Sequence, residues 1–185
     1  FNVKAFGFLI DKEKKYLADS IQKDSSKITL ILGGAKISDK IKLLTRFLDI
    51  ADNILIGGAM SNNFLKARGV SVGKSLYEEK YVEFARDILN RKNKANIVIP
   101  LDYICTQDVK NKINIRNSSY LEIQRDEYAV DIGLKTIDLF KNIIEKESKN
   151  VIWNGPMGII EILEFSKGTK ALINSIKSTK DDDFI

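Results

Sequence analysis

Residues 28–36 read Ile28-Thr29-Leu30-Ile31-Leu32-Gly33-Gly34-Ala35-Lys36. Five residues that are apolar or β-branched, without a polar break, suit a strand covered on both faces, and the glycine pair that follows marks a tight strand-to-helix turn. Three further runs share this character, at residues 54–56, 97–99 and 151–153. The segments between them carry helical period: Ile37, Ile41, Leu44 and Leu48 fall on one face, and Tyr81, Phe84, Ala85, Ile88 and Leu89 on another. Ile137, Phe140 and Ile144 repeat the pattern, as do Leu172, Ile173 and Ile176. Strands alternating with helices at these spacings predict βαβ units, a mostly parallel sheet and an α/β sandwich, with its working edge at the carboxyl ends of the strands. Residues 108–129 are more polar and read as a long crossover, with a short strand or hairpin around 113–123. No Pro/Gly-rich linker or repeat divides the chain, so one unit spanning 1–185 is expected.

Composition narrows the chemistry. The 185 residues hold 30 Lys+Arg, 25 Asp+Glu, one cysteine and no histidine. Without histidine there is no Ser-His-Asp or Cys-His machinery and no imidazole general base or metal ligand in this chain. Cys105 alone can form neither an internal disulfide nor a CxxC site, and it reads as a small buried hydrophobe, as Trp153 reads as core. The basic excess is interleaved with acids, which describes solvated helix faces better than a nucleic-acid groove. No apolar run reaches the roughly 18 residues of a membrane span. A cytoplasmic protein is the expectation. The chain begins at Phe1 and reads as a piece of something longer.

Three of the four strands run into glycine turns: Gly33-Gly34-Ala35-Lys36, Gly57-Gly58-Ala59-Met60 and Asn154-Gly155-Pro156-Met157-Gly158. Such turns let backbone N–H groups approach an anion at a helix start, and they also occur in α/β domains for geometry alone. Lys36 and Lys40, four apart at an expected helix start, are expected to share one helical face, where they either flank an anion or are simply solvated. Glu161, at helix-start distance from the third turn, either accepts ribose hydroxyls or complements a helix dipole. Residues 69–75, Gly-Val-Ser-Val-Gly-Lys-Ser, imitate a Walker A loop, but the glycine that motif needs is Arg68, and a helical pattern over 61–67 precedes it where a strand is required. No GxGxxG occurs.

Taken in order, GGAKISDK at 33–40, GGAMSNNFLKARGVSVGKSL at 57–76, PLD at 100–102, DIG at 131–133, and WNGPMGIIE with FSKGT over 153–169 closely resemble the phosphoglycerate kinase family. The match begins at Gly7-Phe8-Leu9 and covers essentially the whole chain. That resemblance implies an α/β, Rossmann-like three-layer αβα sandwich with a mostly parallel sheet, the C-terminal, nucleotide-binding domain of a two-domain kinase that moves a phosphoryl group reversibly between ATP/ADP and 3-phosphoglycerate. It implies that Gly34, Ala35 and Lys36 border the nucleotide phosphates, with Lys36 catalytic and following the transferring group, and that Lys40 binds phosphate. Gly57 and Gly58 would floor the adenine site, Leu76 and Val130 would wall it, Asn154 and Pro156 would line the nucleoside pocket, and Glu161 would take the ribose hydroxyls.

Two departures from the family pattern stand out. Ala129 replaces a usual glycine, and the GGGDT turn, whose carboxylate holds the nucleotide's Mg²⁺, is expected after residue 185. 3-Phosphoglycerate would bind through an N-terminal domain outside these residues, together with the arginine that stabilises the transferring group. The resemblance further implies a monomer with neither nucleic acid nor membrane as partner, inactive as this half alone. A non-catalytic nucleotide-binding module is the alternative.

Overall fold

The computed structural model describes residues 27–179. The Gly7-Phe8-Leu9 part of the resemblance, and residues 184 and 185, lie outside them. All four expected strands form: β1 (Ile28–Leu32), β2 (Asn53–Ile56), β3 (Asn96–Val98) and β7 (Asn150–Asn154). They build one parallel sheet in the order β3-β2-β1-β7. β1 is central, and alternation of its side chains explains the unbroken apolar run. Ile28, Leu30 and Leu32 face one core, together with Ile54 and Ile56, whereas Ile31 faces a second core with Leu55.

Helices cover both faces. The first core is closed by α1 (Ile41–Phe47), α2 (Ser61–Ala67) and α3 (Val82–Asn90) through Leu44, Phe47, Phe64, Ala85 and Ile88. The second is closed by α4 (Leu134–Glu147) and α5 (Lys167–Thr179) through Ile137, Phe140, Ile144, Leu172 and Ile176. Each helix turns its 3.6-period apolar stripe inward, where a fully buried Leu, Ile or Phe contributes about 1.5–3 kcal/mol. The three-layer αβα reading holds. None of the helices among the described residues is long and apolar enough to cross a membrane.

The polar stretch read as a crossover is more ordered than its composition indicates. β4 (Asp102–Thr106), β5 (Arg116–Ser119) and β6 (Tyr128–Ile132) form a separate antiparallel sheet in the order β5-β4-β6. Of the short strand or hairpin expected around 113–123, the strand forms, as β5, paired with β4 outside that range; β4 and β6 are additions. This sheet packs on the first core through Tyr103 and Cys105, and the Tyr103 hydroxyl lies 2.9 Å from Ser61 Oγ. Burial pushes the Cys105 thiol up to about 12, so it is an inert hydrophobe as composition indicated.

The two acids of the PLD and DIG motifs are buried helix caps. The N-cap of α4 is Gly133, which has no side chain to cap with, and Asp102 of β4 takes that place. Its Oδ1 accepts Thr136 N–H (2.8 Å) and the Thr136 hydroxyl (2.6 Å), while Oδ2 accepts Lys135 N–H (3.0 Å) and Asn117 Nδ2 (2.8 Å). Asp131 of β6 likewise accepts Gly168 N–H (2.8 Å) in the first turn of α5, and Ile132 N–H (2.9 Å). These carboxylates satisfy orphan donors of helices remote in sequence.

Candidate functional site

The sheet order places a topological switch point at β1. From β1 the chain moves outward through β2 to β3, then returns to lay β7 on β1's other side, and ligands of open α/β sheets bind where strand order reverses, at the carboxyl ends. Leu32 is in register with both Ile56 and Asn154. The glycine turns after the three strands therefore stand level and touch.

That contact is backbone on backbone. Gly33 N–H donates to Asn154 O (3.0 Å), Gly34 N–H to Pro156 O (2.8 Å), Gly57 N–H to Leu32 O (2.7 Å), Gly58 N–H to Met157 O (3.0 Å) and Met60 N–H to Gly34 O (3.0 Å). A Cβ on Gly33 would stand 2.1 Å from Pro156 O, and one on Gly155 would stand 2.4 Å from Gly33 O. Two readings of these turns are open, donors to an anion or geometry alone; the N–H groups of Gly33, Gly34, Gly57 and Gly58 are donated within the junction, and there glycine serves to let three main chains meet. Gly34, with φ of +98°, differs from Gly33, Gly57, Gly58 and Gly155 in that no atom lies within 4 Å of where a Cβ would be. Its open side faces outward, beside the exposed Ala35 and Lys36.

Charge comes to this edge from the segment between Gly34 and α1. The helix begins only at Ile41, with Lys40 at its N-cap, so Lys36 is not on it and the two lysines do not share a helical face as their spacing predicted. Buried Ile37 and the turn Lys40 N–H to Ile37 O (2.9 Å) set the path of this loop. Lys40 Nζ donates to Asn154 Oδ1, joining two expected nucleotide ligands 114 residues apart. Pro156, with Trp153, Gly155, Ile160, Thr169 and Ile173, lines an apolar cleft of about 290 Å³. Trp153 is half-buried there and donates its indole N–H to Gly155 O (2.6 Å), so it shapes the cleft as well as the core.

The remaining expected residues gather along β6. Leu76 is 55% exposed and Val130 only 6%, so Leu76 offers an apolar surface and Val130 belongs to the core. Ser75 Oγ accepts Ala129 N–H (2.8 Å), bringing Leu76 beside this strand, and Ile159 N–H donates to Val130 O (3.1 Å), bringing the Glu161 segment there too. Glu161 is exposed in a turn that precedes the 3₁₀ turn Leu163–Phe165, and α5 starts six residues later. It is not at a helix start, so complementing a dipole is not its role. The Walker-like loop follows helix α2 rather than a strand, and it docks by Lys74 N–H on Glu127 O (2.7 Å), just before β6.

Sequence reasoning missed Glu78, Asn62 and Asn63. Glu78 Oε2 accepts Ser38 N–H (2.9 Å), midway between Lys36 and Lys40. Desolvation raises its pKa, but the Ser38 hydrogen bonds and the charges of Lys80 and Lys36 outweigh it and hold the carboxyl below its ordinary value. The SLYEEK order carries no signal of this contact, which spans 40 residues. Among the described residues no group of three or more His, Cys, Asp or Glu could hold a metal ion, and the buried acids Asp102 and Asp131 are engaged as caps. These residues do not form a protein cage for Mg²⁺.

Known proteins match both the sequence and the fold of this chain. The family model described as phosphoglycerate kinase matches residues 1–185. The phosphoglycerate kinase of Staphylococcus saprophyticus is 42% identical over 175 residues, covering 95% of this chain and 44% of that relative. The one from Fusobacterium nucleatum is 41% identical over 177 residues, with 96% and 44% covered. The solved phosphoglycerate kinase of Coxiella burnetii superposes with a TM-score of 0.87 at 29% identity, over 94% of this chain and 45% of that one. The chain thus spans under half the length of the relatives it matches. With a family model matched from end to end, relatives above 40% identity and the same fold, the chain belongs to the phosphoglycerate kinase family.

Proposed function

We propose that this chain is the nucleotide-binding half of a kinase that transfers a phosphoryl group reversibly between ATP/ADP and 3-phosphoglycerate, in the cytoplasm and as a monomer. The observation that carries the reading is the junction at the switch point, where Lys40 meets Asn154 and Gly34 leaves its open side next to Lys36. Family membership supplies the reaction. Phosphoryl transfer asks a protein mainly for in-line positioning and positive charge over the equatorial oxygens, and the acceptor carboxylate is already ionised at neutral pH, so the absence of histidine is no handicap.

In this reading the nucleoside lies between Leu76 and Pro156, with Gly57 and Gly58 beneath it and Glu161 at the ribose. Its phosphates pass over Gly34 and Ala35 to Lys40, and Lys36 follows the transferring group. Because four N–H groups of the glycine turns are already donated, lysine charge carries more of the phosphate binding than backbone donors do. Mg²⁺ arrives with the nucleotide. The other substrate and the remaining charge belong to a second domain, whose closure excludes water, so this half alone does not turn over.

Calorimetric titration of the chain with MgADP tests the reading. Saturable binding that weakens in Lys40→Ala and is not reproduced by inorganic phosphate is expected. No binding at millimolar MgADP would overturn it. In a complete two-domain enzyme, Lys36→Ala lowers kcat by at least about a hundredfold, the scale of one preorganised charge, and an unchanged kcat would remove Lys36 from the chemistry.

A further inference from the structure

We propose that Glu78 is a positioning residue that presents Lys36 and Lys40 to the nucleotide phosphates, with the paired asparagines of α2 holding it in place. The inference rests on the nucleotide-site reading above. Lys36 lies outside α1, so helix geometry does not orient it, and the loop carrying both lysines needs another anchor. Ser38, two residues from each lysine, donates its N–H to Glu78 Oε2 at 2.9 Å. Lys36 also lies within electrostatic reach of the same carboxylate.

Glu78 is in turn held from behind. Asn63 Nδ2 donates to Glu78 O (2.7 Å), and Glu78 N–H donates back to Asn63 Oδ1 (3.2 Å). Asn62 Nδ2 donates to Leu76 O (2.9 Å). Both asparagines are 1% exposed on a helix that also buries Phe64, Leu65 and Ala67, and Ser61 with its own hydrogen-bond partners. Burying two amides in such a place costs free energy unless each makes specific hydrogen bonds; Asn63 makes two to Glu78's main chain and Asn62 one to Leu76 O, while Asn62 Oδ1 has no partner. That segment is therefore anchored through its backbone, and its path does not depend on the Glu78 side chain. What the side chain adds is the link from α2 to the lysine loop.

This separation makes a clean experiment. The full chain is titrated calorimetrically with MgADP and with adenosine, which lacks the phosphates, for wild type, Glu78→Ala and Glu78→Gln. Glu78→Ala is expected to weaken MgADP about tenfold, the scale of one charge-assisted hydrogen bond, and to change adenosine by less than about twofold. Glu78→Gln keeps an oxygen acceptor for Ser38 N–H and should return MgADP affinity to within about threefold of wild type. Unchanged MgADP affinity in Glu78→Ala overturns the proposal. So does an equal loss for MgADP and adenosine, which signals only a loosened fold, and so does Glu78→Gln as weak as Glu78→Ala. Wild-type chain that binds neither ligand is a different result: it overturns the nucleotide-site reading, and this inference falls with it.

Discussion

Replacing Gly58 and, separately, Gly34 by alanine distinguishes a glycine that joins main chains from one that leaves room for a ligand. Gly58 has φ of +61°, and its Cβ would meet Gly34 N at 2.4 Å, Gly34 O at 2.6 Å and Pro156 O at 2.9 Å. All three are backbone atoms, which cannot swing aside as a side-chain tip can, and comfortable contacts to carbon lie near 3.5 Å. Left-handed backbone costs an L-residue about 1–2 kcal/mol. Moving the turns apart by about 1 Å costs a further 1–3 kcal/mol of overpacking and strains two hydrogen bonds, Gly58 N–H to Met157 O and Met60 N–H to Gly34 O, each worth about 1 kcal/mol. The sum is about 4 kcal/mol, or a fall in Tm of about 8–16 °C for a chain of this size.

Gly34 has φ of +98° and nothing within 4 Å of its Cβ position, so Gly34→Ala pays for backbone strain alone, about 1–2 kcal/mol. Urea unfolding followed by far-UV circular dichroism measures both losses, and MgADP calorimetry is run on the folded variants. Gly34→Ala is expected to weaken MgADP more than its small loss of stability would suggest, because the new methyl enters the open face beside Lys36. Equal destabilisation by the two substitutions, or a loss under about 1 kcal/mol for Gly58→Ala, would refute the junction argument.

Glu161→Ala is expected to weaken MgADP by about 1.5–3 kcal/mol with no change in stability, since the side chain is exposed; equal affinity by calorimetry removes Glu161 from the site. Asp102→Ala leaves two N–H groups of α4 and the Asn117 amide without their acceptor, while the Thr136 hydroxyl keeps the backbone oxygen of residue 102 (3.0 Å), and should cost about 3 kcal/mol in urea unfolding; a shift in Tm below 2 °C, where about 2–4 °C per kcal/mol is expected, would refute the capping role. The two caps respond oppositely to pH. Desolvation raises Asp102, but its hydrogen bonds from Thr136, Asn117 and Lys135 prevail and lower it, so its stabilisation is present above the unfolded pKa and is lost as pH falls through the lower folded value. Desolvation prevails at Asp131, over the N–H groups of Gly168, Ile132 and Lys167, and lifts it from 3.8 to about 6, so the folded state holds its proton and this group's contribution declines as pH rises between those values. Asp131→Asn should therefore make stability climb more steeply between about pH 4 and 6, and an unchanged slope in urea midpoints would contradict it.

The sequence by itself determined the parallel sheet and its helices, because continuous β-branched runs and 3.6-period stripes are local consequences of burying both faces of a sheet. It also marked the three glycine turns and, through motif order, the family. β4 and β6 escaped because Asp102-Tyr103-Ile104-Cys105-Thr106 and Tyr128-Ala129-Val130-Asp131-Ile132 each carry a carboxylate that reads as loop chemistry until its helix is in view. The site divides the same way. That Lys36, Lys40, Asn154 and Pro156 belong to one edge follows from strand ends and motifs, whereas which groups remain available there does not. Only tertiary structure decided that four glycine N–H groups are donated to neighbouring turns, that Lys36 lies off the helix, that Lys40 reaches Asn154 and that Glu78 fastens the loop between the lysines. Hydrogen bonds and backbone contacts between segments 40 to 114 residues apart depend on how the layers stack, and no local pattern of residue types encodes that stacking.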